Sequence, residues 1–359
     1  PGILRIQDGE WTTFNITHGG AEGKHYGLAG NFSVASAEEE SRATLGGEKR
    51  GGKRQKLHSF DTHFRKAPGG GTLKLLARGG GRTVETAADR SVDRFVKVTS
   101  ERGSRTFSVR AMGDGPVRVY GVALETAGPG VTWEPFGVAG SSVGSLLSRQ
   151  SSAHLKRQVK RRGPSLIVYQ TGGNELTYPM LHTGEGEGYE RAYTRAMSRL
   201  RAGAPDAPCL MIGPLDKGTR ERGRVKSKPQ LARMYEVQRR TAKNIGCAFW
   251  DARAVMGGDG GYSRWMNLEP KLASTDLMHL TLDGLELVGQ SLADALILEY
   301  DLWREANPQV EWVPVDVEDV SKTPSKRRAA QPCRLLRRLP GATSPDLAGP
   351  PSISPHLTT

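Results

Sequence analysis

The sequence has few aromatic residues, three cysteines and no long hydrophobic run. Aromatic residues make up 6% of the 359 residues and do not alternate with the basic runs, which disfavours a stacking platform for nucleic acid. Cys209, Cys247 and Cys333 are far apart and form no CxxC pair, which excludes a disulfide-dense scaffold and a common zinc motif. No apolar run approaches the roughly 18 residues of a membrane helix, so we expect no transmembrane segment.

Basic residues outnumber acidic residues, 51 to 38, and give the chain a net charge of +13. Such an excess favours polyanions such as nucleic acid, acidic lipid or an acidic cell-wall polymer. Much of the charge falls in runs, at 49–56, 156–162 and 322–338. Runs of this kind are usually solvated loops and tails, which is the interpretation we favour. An acidic polymer is therefore a candidate partner, and nucleic acid is not.

Residues 1–125 have the pattern of an antiparallel β-sandwich. Short runs that alternate apolar and polar residues, such as 106–110 and 117–120, are separated by glycine-rich turns. We predict a jelly-roll-like sandwich for this region. The stretch 41–55 is polar and rich in glycine and basic residues, so we predict a mobile loop there.

From residue 126 onward, strand-like and helix-like patterns alternate. Short apolar strands are predicted at 131–138, 165–170, 208–213 and 247–250, and helices at 143–161, 189–201, 230–244 and 284–300. Such alternation predicts an α/β domain over 126–302, with a parallel sheet covered on both faces and sites at the carboxyl ends of its strands. Residues 303–359 are rich in Pro, Ser and Arg and are predicted to be a disordered basic tail.

Three blocks at the ends of predicted elements carry groups suited to ester chemistry. The turn at Gly140 can expose a backbone N–H to an oxyanion, and the side-chain amide of Asn174 can donate to the same oxyanion. Asp276 stands three residues ahead of His279, where it can accept the Nδ1–H and leave Nε2 as a base. Each block alone also has an ordinary explanation as turn chemistry or as a capping Asp beside a surface His.

Taken together, the order and spacing of these blocks resemble the SGNH/GDSL-type esterase family over residues 129–300. The resemblance implies a three-layer, flavodoxin-like hydrolase domain that uses no cofactor and no metal. It implies that Gly140 and Asn174 form the oxyanion hole and that His279 is the catalytic base, oriented by Asp276. Glu175 stands where the family more often has Asp.

The family's first block, a strand that ends in Gly-Asp-Ser, is absent from the sequence, so we identify no nucleophile in this chain. In a bacterial subgroup similar to cell-wall O-acetyl esterases, a β-sandwich stands between the serine block and the glycine block, where residues 1–125 lie here. The chain also begins without Met and without a signal-peptide pattern. We expect a fragment that has lost the first strand of the parallel sheet; a natural protein without the nucleophile is the alternative.

By the resemblance, the full-length protein is a periplasmic or extracellular ester hydrolase that uses Ser-His-Asp chemistry on an O-acylated carbohydrate such as cell-wall glycan. The sandwich would contact the glycan, and this fragment would be inactive. The alternative is a carbohydrate-binding protein with a catalytically dead hydrolase domain. No metal site is predicted, since His58 and His63 lack a further ligand at metal-site spacing. Asp216 and Arg222 are predicted on a solvated loop, with a contact to the substrate as the alternative. Trp133 is predicted in the core or at a domain contact.

Overall fold

The structure, a computed structural model, describes residues 4–128 and 130–309. Its first part consists of strands and one short 3-10 turn at Glu22–Lys24. The strands are β1 (Leu4–Asp8), β2 (Trp11–Asn15), β3 (Asn31–Ala35), β4 (Ser41–Gly46), β5 (Lys49–Arg50), β6 (Lys53–Arg54), β7 (Leu57–Lys66), β8 (Thr72–Ala77), β9 (Gly80–Glu85), β10 (Val92–Ser104), β11 (Thr106–Ala111) and β12 (Val117–Glu125).

Ten of these strands form two antiparallel five-stranded sheets, in the orders β1-β4-β11-β8-β9 and β10-β7-β12-β3-β2. Alternate side chains of each sheet point into a shared core, where the rings of Phe60 and Phe107 stack with centroids 4.5 Å apart. The predicted β-sandwich is confirmed. The prediction of a mobile loop at 41–55 is wrong, because β4 pairs with both β1 and β11, and Leu45 packs against the core.

The second part alternates helices with short strands. In chain order, it contains α1 (Val143–Ser148), α2 (Ser152–Arg162), β13 (Ile167–Gln170), α3 (Pro179–His182), α4 (Glu187–Arg201), β14 (Cys209–Ile212), β15 (Gly218–Glu221), β16 (Arg224–Ser227), α5 (Gln230–Asn244), β17 (Ala248–Trp250), α6 (Ala252–Val255), α7 (Gly261–Met266) and α8 (Leu282–Ala306).

A parallel sheet in the order β13-β14-β17 forms the centre of this second part. Alternate residues of β14 face opposite sides of the sheet, as strand geometry requires. Met211 packs into a cluster with residues of α4 and α5, whereas Leu210 and Ile212 pack with Ala252 of α6 and with Leu292 and Leu296 of α8. The predicted three-layer α/β arrangement is confirmed.

The segment before α1 differs from the prediction. Residues 131–138 form no strand, and the side chains of Val131 and Trp133 are 98% and 56% exposed. Among the described residues no strand pairs with the outer edge of β13, and this segment does not pair with it either. The prediction of a strand at 131–138 is therefore wrong, and the exposure of Trp133 contradicts its placement in the core. The helix predicted at 143–161 is divided into α1 and α2, because Ser151 caps the start of α2.

Helix α2 attaches the second part of the chain to the sandwich. Arg161 donates two hydrogen bonds of 2.7 and 2.8 Å to Asp61 of β7, and Arg157 donates one of 2.7 Å to Asp93 of β10. Arg162 binds Glu125 of β12 at 2.9 Å. The basic run 156–162 therefore includes three interface arginines, and its interpretation as a solvated run is wrong. The boundary at 125/126 stays a prediction, and the predicted tail lies outside the described residues from 310 onward.

Candidate active site

Asp276 and His279 lie on the loop that leads into α8, and the structure brings them together. The hydroxyl of Tyr262 donates to the backbone oxygens of Ser274 and His279, at 2.8 Å each, and thereby closes this loop. Asp276 Oδ1 accepts the backbone N–H groups of Met278 and His279, at 2.8 and 2.9 Å. Its other oxygen, Oδ2, lies 2.7 Å from Nδ1 of His279.

The hydrogen bonds at Asp276 decide its charge and the orientation of the imidazole. The backbone N–H of His279, then its ring, then the N–H of Met278 hold the pKa of Asp276 well below its ordinary value. The carboxylate therefore stays ionised and accepts the Nδ1–H, which leaves Nε2 of His279 with its lone pair. The His279 side chain is 74% exposed, and Nε2 makes no hydrogen bond to any described residue. Nε2 is thus available as a base.

Gly140 and Asn174 lie beside each other at the end of β13. The Asn174 amide donates to the backbone oxygen of Ser141 at 2.8 Å, which places it next to Gly140. Gly140 has φ +73°, a left-handed conformation that glycine adopts without strain. An amide has two N–H groups, so one of them is left for a ligand.

Glu175 holds these two segments together, a role that its sequence position alone did not reveal. Its side chain is fully buried, and Oε1 accepts the backbone N–H of Val143 at 2.6 Å and the hydroxyl of Thr171 at 2.8 Å. It therefore links the end of β13 to the start of α1, just after Gly140. Burial raises the pKa of Glu175 despite these hydrogen bonds.

The two halves of the site meet through the loop after β14. The backbone N–H of Gly218 donates to the oxygen of Leu277 at 2.9 Å. Lys217, the residue before it, lies against Gly173, where an added Cβ would be 2.9 Å from the lysine Cε. The chain thus places Asn174 and Asp276 on either side of Lys217. Convergence of Asn174 and His279 on one reacting atom stays a prediction, since no hydrogen bond joins their side chains.

Two of the serines near Gly140 have structural partners. Ser142 and Ser145 form the capping box of α1, and Ser142 also accepts the hydroxyl of Tyr178 at 3.2 Å. None of the described serines hydrogen-bonds to Nε2 of His279.

Asp216 is not on a solvated loop, contrary to the prediction. Its side chain is fully buried and accepts the hydroxyl of Ser227 at 2.7 Å and the backbone N–H of Tyr262 at 2.9 Å. It fastens the β15-β16 hairpin to α7, so it does not reach a substrate. Arg222 lies exposed in the turn of that hairpin, as predicted.

One group of described residues, His25, Asp93 and His154, has the composition of a metal site. The two imidazole rings are stacked, with centroids 4.5 Å apart and planes within 1° of parallel. Because the lone pair of an imidazole nitrogen lies in the ring plane, two facing parallel rings do not point at one ion. Burial alone would raise the pKa of Asp93, but contacts with His154 and Arg157 lower it to about 2. The group is a buried junction between the sandwich and α2.

Comparisons with known proteins agree with this description. Residues 99–287 match the model of the GDSL-like Lipase/Acylhydrolase family. A solved structure of a peptidoglycan O-acetylesterase is 17% identical, and the alignment covers 84% of this chain and 78% of that one with a TM-score of 0.58. The likeness between the two structures is one of fold.

Two further solved structures align less well. The acetylxylan esterase Axe2 from Geobacillus stearothermophilus is 16% identical, with 43% of this chain and 66% of that one covered and a TM-score of 0.30. A protein from Bacillus subtilis is 9% identical, with 80% and 88% covered and a TM-score of 0.35. The sequence matches no curated protein. Among the described helices, none combines the length and apolarity needed to cross a bilayer.

Proposed function

The chain belongs to the GDSL-like lipase/acylhydrolase family, and we propose that its site removes acyl groups from an O-acylated carbohydrate by serine, histidine and aspartate chemistry. One observation carries this proposal. Asp276 lies 2.7 Å from Nδ1 of His279 and leaves Nε2 free at the protein surface. A base with a fixed tautomer, together with a pair of oxyanion donors, is the machinery that acyl transfer needs.

The proposed roles follow from the hydrogen bonds of each group. His279 Nε2 takes the proton of a serine hydroxyl as its oxygen attacks the ester carbon, and Asp276 stabilises the imidazolium that forms. The N–H of Gly140 and the second N–H of Asn174 stabilise the oxyanion. Collapse of the tetrahedral intermediate releases the alcohol, which takes the proton from His279, and water then hydrolyses the acyl-enzyme by the same steps.

Fold similarity and a disulfide support the proposed substrate and location. The peptidoglycan O-acetylesterase shares the fold of both parts of this chain and acts on a cell-wall glycan, which motivates glycan as the substrate and the sandwich as a glycan contact. Cys209 and Cys247 form a disulfide. Structural disulfides persist in oxidising compartments, which supports a place in the periplasm or outside the cell.

We propose that the nucleophilic serine comes from a segment outside residues 1–359. This chain is then expected to hydrolyse p-nitrophenyl acetate no faster than its His279→Ala variant, because a base and oxyanion donors without a nucleophile give little catalysis. A chain lengthened by the residues encoded upstream of Pro1 is expected to hydrolyse the ester. His279→Ala in the longer chain should lower the rate by about 10³-fold or more.

The control is the longer chain with that segment's serine replaced by Ala, which should be as inactive as the His279→Ala variant. Turnover by residues 1–359 that depends on His279, with an acyl group on one of its own serines, would show that the nucleophile is inside this chain.

A second candidate function is favoured by the unpartnered Nε2 of His279 and by the absence of a serine beside it in the described residues. The chain would then be a carbohydrate-binding protein whose hydrolase domain is catalytically dead. An upstream coding sequence without a serine block, together with carbohydrate binding by residues 1–359, would favour this candidate.

A further inference from the structure

Lys217 lies between the two halves of the candidate active site. It follows β14 by a few residues and packs its side chain over Gly173, next to Asn174. On its other side, the N–H of Gly218 holds the backbone of Leu277, next to Asp276. Any side chain at Gly173 would collide with the lysine ammonium, so the glycine makes room for a cation at this place.

The ammonium group of Lys217 has no ion-pair partner within the described residues, although it is half-buried. Glu175 and Asp276 attract it only from a distance. Both oxygens of Asp276 and one oxygen of Glu175 accept hydrogen bonds from other donors. Lys228 lies nearby and donates its backbone N–H to the oxygen of Lys217 at 2.9 Å. Burial, and then the charge of Lys228, lower the pKa of Lys217.

A half-buried cation that is held near a second cation is costly unless an anion joins them. The expected anion is a fully charged group, because a lysine ammonium binds as a compact point charge. It is not the acyl group, since an acetyl group carries no charge. The oxyanion already has donors in Gly140 and Asn174. The remaining place for a negative charge is the alcohol part of the ester.

We propose that Lys217, with Lys228 beside it, binds a carboxylate on the carbohydrate part of the substrate. This inference deepens the proposed function and rests on it. The site then selects acidic sugar esters over neutral ones, and Lys217 is a specificity-determining residue. The excess of positive charge in the chain also favours an anionic substrate.

The test uses two sugars of similar shape, the charged glucuronic acid and the neutral glucuronamide, with acetate as a carboxylate without a sugar. Calorimetric titration of residues 1–359 measures their affinities without requiring turnover. Lys217→Met is expected to weaken glucuronate binding about tenfold and to leave glucuronamide binding unchanged, as expected for the loss of one charge-assisted hydrogen bond. Lys217→Arg should retain the preference for glucuronate.

The matched control is Lys226→Met, which removes an exposed lysine from the adjacent hairpin. Lys226 is paired with Glu221 at 3.0 Å and lies outside the candidate site. Lys226→Met should leave the affinities of both sugars unchanged. An unchanged thermal midpoint in the Lys217→Met variant shows that it is folded.

The other possible outcomes distinguish a failure of this inference from a failure of the proposed function. Equal binding of the two sugars by the wild-type chain, or equal losses in Lys217→Met and Lys226→Met, would overturn the carboxylate site but leave carbohydrate binding standing. If neither sugar binds but acetate shifts the NMR signals of Gly173 in the wild type and not in Lys217→Met, the carbohydrate part of the proposed function fails and the lysine site stands. No binding of any probe overturns both.

Discussion

Glu175 shows at the residue scale how one buried carboxyl can position an active site without touching a substrate. It binds the N–H of Val143 and the hydroxyl of Thr171, while its second oxygen has no partner among the described residues. A buried carboxyl with few donors favours its neutral form, which agrees with its raised pKa. The spacing between Gly140 and Asn174 depends on this contact.

The raised pKa of Glu175 predicts a pH-dependent stability. Below the ordinary value of 4.5, the carboxyl is neutral in both the folded and the unfolded chain. As the pH rises above this value, Glu175 ionises first in the unfolded chain. The stabilisation by the neutral carboxyl is therefore lost until the pH has passed the raised pKa of Glu175 in the folded chain. Relative to Glu175→Gln, which stays neutral, the wild-type free energy of unfolding should fall over this pH range and then level off. Urea unfolding at a series of pH values measures it.

The control for this experiment is Glu236→Gln, which changes an exposed carboxyl on α5. Its stability should follow the wild-type pH dependence. Parallel curves for the wild type and Glu175→Gln would contradict the raised pKa of Glu175.

At the scale of elements, helix α2 shows why a run of basic residues cannot be interpreted from its charge alone. Arg161 forms a two-point contact with Asp61, whose side chain is 6% exposed. Burial alone would raise the pKa of Asp61, but the imidazole of His63, 3.4 Å away, and the hydrogen bonds from Arg161 lower it below its ordinary value. The arginine therefore keeps a buried carboxylate charged at the interface.

Arg161→Ala is expected to lower the free energy of unfolding by about 2 kcal/mol. This value lies between the cost of removing an exposed ion pair, below about 1 kcal/mol, and that of leaving a buried charge unpaired, about 3–5 kcal/mol. Denaturant unfolding at neutral pH measures the difference. The matched control is Arg239→Ala, because Arg239 pairs with Glu236 on the exposed face of α5; equal effects of the two variants would contradict the interface assignment.

The disulfide joins the start of β14 to the loop before β17, across 38 residues. Closing a loop of this length restricts the unfolded chain by about 4 kcal/mol in the entropic account, and removal of native disulfides typically costs about 2–5 kcal/mol. The double variant Cys209→Ala and Cys247→Ala should therefore lose about 2–4 kcal/mol of stability.

The matched experiment is the wild-type chain in a thiol reductant, which should unfold at the same denaturant concentration as the double variant. An unchanged midpoint on reduction would mean that this pair is not bonded in the folded protein.

The whole molecule is predicted to unfold as one unit because the sandwich and the α/β part share buried contacts. Besides the arginines of α2, the side chains of Gln150 and Gln158 donate to the backbone oxygen of Tyr26 at 2.9 and 3.0 Å. The far-ultraviolet helix signal reports the second part, where the described α-helices lie, and amide exchange in β7 reports the sandwich. Both should give one midpoint in urea.

Replacing Arg157 and Arg161 together by Ala should separate the two midpoints. The control is the double variant Arg239→Ala and Arg220→Ala, which removes two arginines distant from the sandwich strands. Two midpoints in the wild-type chain would show that the interface does not couple the two parts.

Elements whose hydrophobic period is local could be predicted from the sequence. Alternation at 106–110 predicted β11, and the amphipathic pattern at 230–244 predicted α5 with the observed bounds. The short motif around Asp276 and His279 also determined its own geometry, because a side chain three residues away can reach the imidazole within a single turn. The order of the motifs along the sequence identified Gly140 and Asn174 as candidate oxyanion donors, and these roles stay proposals.

Tertiary structure decided what depends on partners distant in the chain. Residues 131–138 have an apolar strand pattern, but a strand also needs backbone hydrogen bonds with a neighbouring strand, and this segment forms none with β13 or with another described strand. The basic run of α2 became an interface because Asp61 and Asp93 are buried opposite it. The burial of Glu175 and the position of Lys217 over Gly173 depend on the packing of several loops at one end of the sheet, and a local sequence pattern carries no information about that packing.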